Sequence, residues 1–165
     1  MKKSIVLFAF IGATLMGCEG EKGEQGPPGN PNIEVYDIAL NSNSWVQEGP
    51  SGTPNNAYVA EMYIGNLTVN RLIDGVLVQV YLAAGNNTYL SVPCTFTNDG
   101  YSSHFNYIIS PNLVELIKLD TDLLTVPFFT NVNVRVIIAP RYMKTAELDA
   151  YMEETYGVQV NPAAQ

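Results

Sequence analysis

Few side chains in this 165-residue sequence could do chemistry: Cys18, Cys94, one histidine and a loose set of acids. Cys94 alternates with Leu90, Val92 and Phe96 on the apolar side of a strand-like run, which is the place of an inert core thiol. Cys18 is committed elsewhere, as argued below, so Cys94 has no partner for an intrachain disulfide or a dithiol redox site. His104 follows Ser102 and Ser103, but neighbours on a strand point apart, and the Gly-x-Ser-x-Gly elbow of a hydrolase is missing. Zinc needs three or four ligands, and neither a second histidine nor a cysteine cluster is present. No Gly-x-Gly-x-x-Gly follows a strand pattern, so neither flavin nor nicotinamide is implied. Among the acids, Glu115, Asp120 and Asp122 make the best group, with Asp120-Thr121-Asp122 read as a loop. Calcium favours several oxygens on such a loop. The EF-hand spacing is absent, however, and Leu123-Leu124 interrupts the polar run. A solvated loop is therefore the preferred reading, with Asp120 and Asp122 the residues to examine for a metal. Strands can bring distant carboxylates together, but nothing in the sequence calls for a glycosidase pair. The expectation is a protein without catalytic residues, cofactor or metal.

The aromatic residues offer a different chemistry. Ten tyrosines and one tryptophan are many for a chain of this size, and exposed rings bind sugars by stacking. Tyr36, Tyr58, Tyr63, Tyr81, Tyr89 and Tyr101 could build such a surface, as could Trp45 beside its Asn-Ser and Gly-Pro turns. Tyrosine is also a good strand residue that buries its ring and wets its hydroxyl, and for any single tyrosine that reading is preferred. Trp45, Tyr81, Tyr89 and Tyr101 stand as the candidate binding residues.

Cys18 belongs to an export leader. Lys2 and Lys3 give a positive start, Ile5 to Ile11 and Ala13 to Met16 give an apolar core, and Gly17 precedes the cleavage point. The apolar run is too short to remain as a membrane-spanning helix. Leu15-Met16-Gly17-Cys18 resembles a bacterial lipobox, in which the cysteine becomes the first mature residue and carries acyl chains. Each buried methylene adds about 0.8 kcal/mol, so several chains on one residue anchor almost permanently. A plain secretory leader with an incidental cysteine is the lesser reading. Four triplets follow at once: Gly20-Glu21-Lys22, Gly23-Glu24-Gln25, Gly26-Pro27-Pro28 and Gly29-Asn30-Pro31. Glycine at every third position is what a collagen triple helix needs, but four triplets are too few to hold three chains unaided. They read first as an extended stalk, about 3.1 Å per residue and roughly 40 Å in all, and second as the stub of a homotrimer.

Composition sets the frame for the rest. Hydrophobic residues make up 47% and charged residues 15%, enough to build a core. Loss of Lys2 and Lys3 leaves six bases against sixteen acids and changes the net charge from −8 to −10. That balance excludes a nucleic-acid partner and electrostatic adhesion to anionic lipid. The organisation is then 1–17 leader, 18–32 lipidated cysteine and tether, and 33–165 a single domain.

From Ile33 onward apolar residues recur at every second position, broken by turns every eight to twelve residues, as in an antiparallel β-sandwich of seven to eight strands. Val76, Val78, Val80 and Leu82 face one way, with Leu77, Gln79 and Tyr81 opposite. The run Tyr89 to Thr97 reads as one strand, joined to the preceding one by a hairpin at Gly85-Asn86-Asn87. Asn98-Asp99-Gly100 turns the chain into Phe105, Tyr107 and Ile109, whose other face carries His104 and Asn106. Val132, Val134, Val136 and Ile138 alternate with Asn133, Arg135 and Ile137, up to Pro140. Earlier strands are expected at Ile33 to Leu40, around Trp45, and at Ala57 to Ile64. Thr68 to Ile73 reads as one capped helical turn. Thr145 to Tyr156 reads as a helix capped by Thr145, with Leu148, Tyr151, Met152 and Tyr156 in one stripe and Gly157 as its stop.

The run Ile64-Gly65-Asn66-Leu67-Thr68, continuing through Leu72-Ile73-Asp74-Gly75-Val76 to Tyr81, resembles a group of small Bacteroidota lipoproteins. Their plan is a lipobox, a brief Gly-X-Y stub and a β domain. Trp45, Leu90-Ser91-Val92-Pro93 and Arg135 to Pro140 followed by an acidic helix are similar too. The resemblance covers nearly the whole mature chain, and its motifs are those of core and turn. The group has no established activity, so no catalytic residue carries over. The acids Glu19, Glu21 and Glu24 beside Cys18 look like the signals that send such lipoproteins to the outer membrane, facing the exterior. The resulting expectation is a tethered, non-enzymatic structural or binding module whose partner is a glycan or an envelope protein. The alternative is a carbohydrate-binding accessory protein that uses exposed tyrosines.

Overall fold

The structure is a computed structural model that describes residues 32–85, 87–123 and 131–161. Cys18, the Gly-X-Y triplets, Asn86 and residues 162–165 lie outside the described residues. In chain order the elements are β1 (Glu34–Leu40), a 3-10 turn (Ser42–Ser44), β2 (Trp45–Glu48), β3 (Ala57–Tyr63) and α1 (Val69–Asp74). They continue with β4 (Val76–Gly85), β5 (Thr88–Ser91), β6 (Cys94–Asn98), β7 (Tyr101–Ser110) and β8 (Leu113–Asp120). Last come β9 (Val132–Pro140), α2 (Thr145–Tyr156) and β10 (Gln159–Asn161).

Two five-stranded sheets face each other. One runs β1-β9-β4-β5-β10 and the other β2-β3-β8-β7-β6. Every described pairing is antiparallel except β10 beside β5. The core between them draws Val78, Val80, Leu82, Val134, Val136 and Ile138 from the first sheet. The second contributes Ala60, Met62, Phe105, Val114 and Leu116. The Tyr107 hydroxyl bridges the layers by donating to the Val78 carbonyl at 2.9 Å. This is the antiparallel sandwich that the period-two pattern predicts, and the inward and outward sets on β4 and β9 are those read from the sequence; on β7 Phe105 and Tyr107 join the core, while Ile109 near the strand's end is exposed.

The strand count is the first correction: ten described strands, not seven or eight. One added strand comes from splitting the run Tyr89 to Thr97. Val92 still bonds to the first sheet, its N–H donating to the Val80 carbonyl at 2.9 Å. Pro93 has no N–H to continue the ladder. The chain then crosses over, and Cys94 pairs with Phe105 in the second sheet. Leu90, Val92, Cys94 and Phe96 still all point into the core, so the side-chain parity survives the crossing.

The second added strand is β8, where a polar loop was expected around Asp120. Val114, Leu116, Lys118 and Asp120 take the inward positions. The last two, being two residues apart on one face, pair with each other: Lys118 Nζ lies 2.5 Å from Asp120 Oδ2. A charged pair at the inward parity hid the strand. The short β10 is the third.

Both helices fall where predicted. Thr68 caps α1, its hydroxyl accepting from the Arg71 N–H at 3.4 Å. For α2 the capping expectation is corrected, because Thr145 is the first helical residue and Lys144 holds the cap position. There Glu147 reaches back to accept the Lys144 N–H at 2.9 Å. Gly157 closes the helix at φ 61°, a left-handed conformation that glycine adopts without penalty. Leu148 and Met152 are fully buried against Tyr81, Ile137 and Ala139, so α2 covers the outer face of the first sheet.

Candidate binding cleft

Beside the end of α2 the outer face of the first sheet opens into a cleft. Asp37 on β1 stands opposite Arg135 on β9, and two pairs further along Ala39 stands opposite Asn133. Arg135 in turn faces Tyr81 on β4, and Tyr89 on β5 faces Ala83. Because strand side chains alternate, Asp37, Ala39, Asn133, Arg135 and Tyr81 all emerge on this one face. The small side chain of Ala39 leaves space on that face. The cleft measures about 290 Å³ and is lined by Asp37, Ile38, Ala39, Tyr89, Asn133 and Arg135.

Arg135 organises it. The residue is only 8% exposed, and a buried guanidinium must be paired to be tolerated. Its Nε donates to Asp37 Oδ1 at 2.6 Å and its Nη2 to Asp37 Oδ2 at 2.9 Å, a two-pronged pair. Nη1 points to Met152 Sδ at 3.6 Å. The guanidinium carbon sits 4.1 Å from the centre of the Tyr156 ring and 5.1 Å from that of Tyr89, so the charge rests against two aromatic rings. Donating to the Asp37 carboxylate raises the Arg135 pKa further, despite the opposing effect of burial. Tyr151 meets Tyr156 edge-on with ring centres 6.1 Å apart and steadies the outer ring. Burial, then Tyr151, push the Tyr156 hydroxyl pKa upward. The Asp37 side chain, 59% exposed, stays open to solvent.

The four aromatic candidates do not gather on one face. Trp45 is buried in the sandwich core and Tyr81 is fully buried beneath α2, where its hydroxyl donates to Asp149 at 2.9 Å. Neither offers a ring to a ligand. Burial first, then Asp149, raise the Tyr81 pKa. Tyr101 opens β7 in the second sheet, half-buried. Tyr89 alone lines the cleft. The two acids examined for a metal separate as well: Asp120 is buried with Lys118, while Asp122 lies on an exposed turn. Among the described residues no group of three or more histidines, cysteines or acids could hold a metal ion. Cys94 is a free, buried thiol, and burial pushes its pKa up to about 11, which keeps it protonated at neutral pH. His104 is exposed on the second sheet, its Nδ1 2.9 Å from the Thr95 hydroxyl.

Asp37, Asn133, Arg135 and Tyr156 were absent from the candidates drawn from the sequence. The signal available for two of them was Asn133 and Arg135 at alternate positions in the apolar run Val132 to Ile138. Two polar residues two apart share one face, and that face cannot be plain core. Among protein-family models, curated proteins and solved structures, none matches this chain.

Proposed function

We propose that this protein is a non-enzymatic lipoprotein, tethered through Cys18 to the outer membrane and facing the exterior, that acts as a binding module of the cell envelope. The cleft on the first sheet supports the binding role. It is already organised, with its one carboxylate held in a two-pronged bond to a buried arginine whose guanidinium rests beside the Tyr89 ring. Such fixed groups meet a ligand without the entropy cost of ordering them first. The lipobox, the Gly-X-Y tether and the likeness to small Bacteroidota lipoproteins support the location. Growth with radiolabelled palmitate tests the tether. Label is expected on this polypeptide, and Cys18→Ser is expected to abolish both the label and fractionation with membranes. An unlabelled protein would overturn the reading.

A further inference from the structure

We infer that the cleft is a saccharide subsite that takes one ring of a neutral, hydroxyl-rich glycan; this rests on the binding-module reading above and adds the class of ligand. The argument begins with what the cleft has already used. A guanidinium beside two tyrosine rings fills the place that an external cation would seek. That guanidinium is in turn neutralised by Asp37, and the sequence carries a net charge of −8, so an anion finds no unspent positive charge. Charged ligands of either sign are therefore poorly matched.

What remains open suits hydroxyl groups. Each Asp37 oxygen takes one bond from Arg135 and keeps a second lone pair, and the side chain is more than half exposed. The exposed Asn133 on the neighbouring strand adds a donor and an acceptor on one amide. A sugar hydroxyl both donates and accepts, so two adjacent hydroxyls can be satisfied by a carboxylate and an amide side by side. Tyr89 and Ala39 supply apolar surface for the C–H face of the ring. At about 290 Å³ the cleft lies at the small end of ligand sites, sized for one ring rather than an extended chain.

The test uses the purified full-length protein in detergent. It is run through gels containing starch, xylan, mannan or a β-glucan and titrated with the matching monosaccharides. Inorganic phosphate and tetramethylammonium chloride serve as charged probes. Retardation by at least one polysaccharide is expected, relieved by its free monosaccharide. Asn133→Ala, at an exposed position, and Tyr89→Leu are each expected to weaken binding at least roughly tenfold while the folded circular-dichroism spectrum is kept. Three results would overturn the inference: no retardation of the folded protein by any polymer, retention unchanged in both variants, or binding of a charged probe only. Palmitate labelling at Cys18 is read separately, so loss of the saccharide reading leaves the tether standing, and the reverse.

Discussion

The two sheets of the sandwich share one core but treat their outer faces in opposite ways. The first sheet carries α2 and a second apolar cluster, and with that cover it keeps a charged residue almost entirely from water. The second sheet has no described element over it. Val46, Tyr63, Ile108 and Leu119 stand exposed there, scattered among Glu61, His104 and Asn106. Glu61 even pairs directly with Glu115 across the β3–β8 ladder, a like-charge neighbour that a buried face would not tolerate. A covered face can hold a polar site rigid because water no longer competes for its hydrogen bonds. An open face trades that precision for solubility. The chain's organised cleft therefore lies beside its longer helix.

That contrast can be broken most severely at the helix. Leu148→Ala removes a fully buried contact between α2 and the first sheet and should cost about 2–5 kcal/mol by denaturant unfolding. A comparable truncation on the open sheet, Val46→Ala at an exposed position, should stay within about 0.5 kcal/mol. Equal losses would mean that α2 does not seat as described. Next in size is Asp37→Ala, which leaves the Arg135 guanidinium buried without its carboxylate and should cost about 1–3 kcal/mol. A melting temperature unchanged by this variant would show that Arg135 turns out to solvent at no cost.

The smallest effect concerns pH. Burial, countered by the Tyr81 hydrogen bond and aided by Glu153, raises the Asp149 pKa above its ordinary 3.8. A carboxyl with a raised folded pKa holds its proton better folded than unfolded. Its contribution is thus fully present below 3.8 and is lost as pH rises through the folded value. Asp149→Asn should remove that decline and leave a flatter stability profile above about pH 4. Solvent screening limits the change to a few tenths of a kcal/mol. A steeper profile in the variant would reverse the sign assigned to Asp149.

How much of this was legible in the sequence follows the same division. The covered and core-facing strands could be read from alternation alone, because Val76 to Leu82 and Val132 to Ile138 state their parity residue by residue. The helix Thr145–Tyr156 was legible in its extent, since Gly157 marks its end, but not in its cap, and of its apolar stripe only Leu148 and Met152 are buried. The strand Leu113–Asp120 was not, because Lys118 and Asp120 satisfy each other at inward positions, and pattern reading has no access to pairing. The cleft was hidden for a related reason. Asp37 and Arg135 are 98 residues apart, and only the β1–β9 register brings them together. Trp45 and Tyr81 misled because composition counts rings and does not say which face of a sheet they leave from.

The placement of β1 has a mechanical consequence. It is an outer strand of its sheet, and the described chain enters it directly after Asn32 and Ile33. A pull on the polypeptide ahead of Asn32 acts along β1 and is resisted by seven matched positions on β9 sliding together rather than unzipping in turn. Asp37 and Arg135 sit within that same ladder, so a load arriving along β1 would reach their ion pair before it reached β4 or the facing sheet.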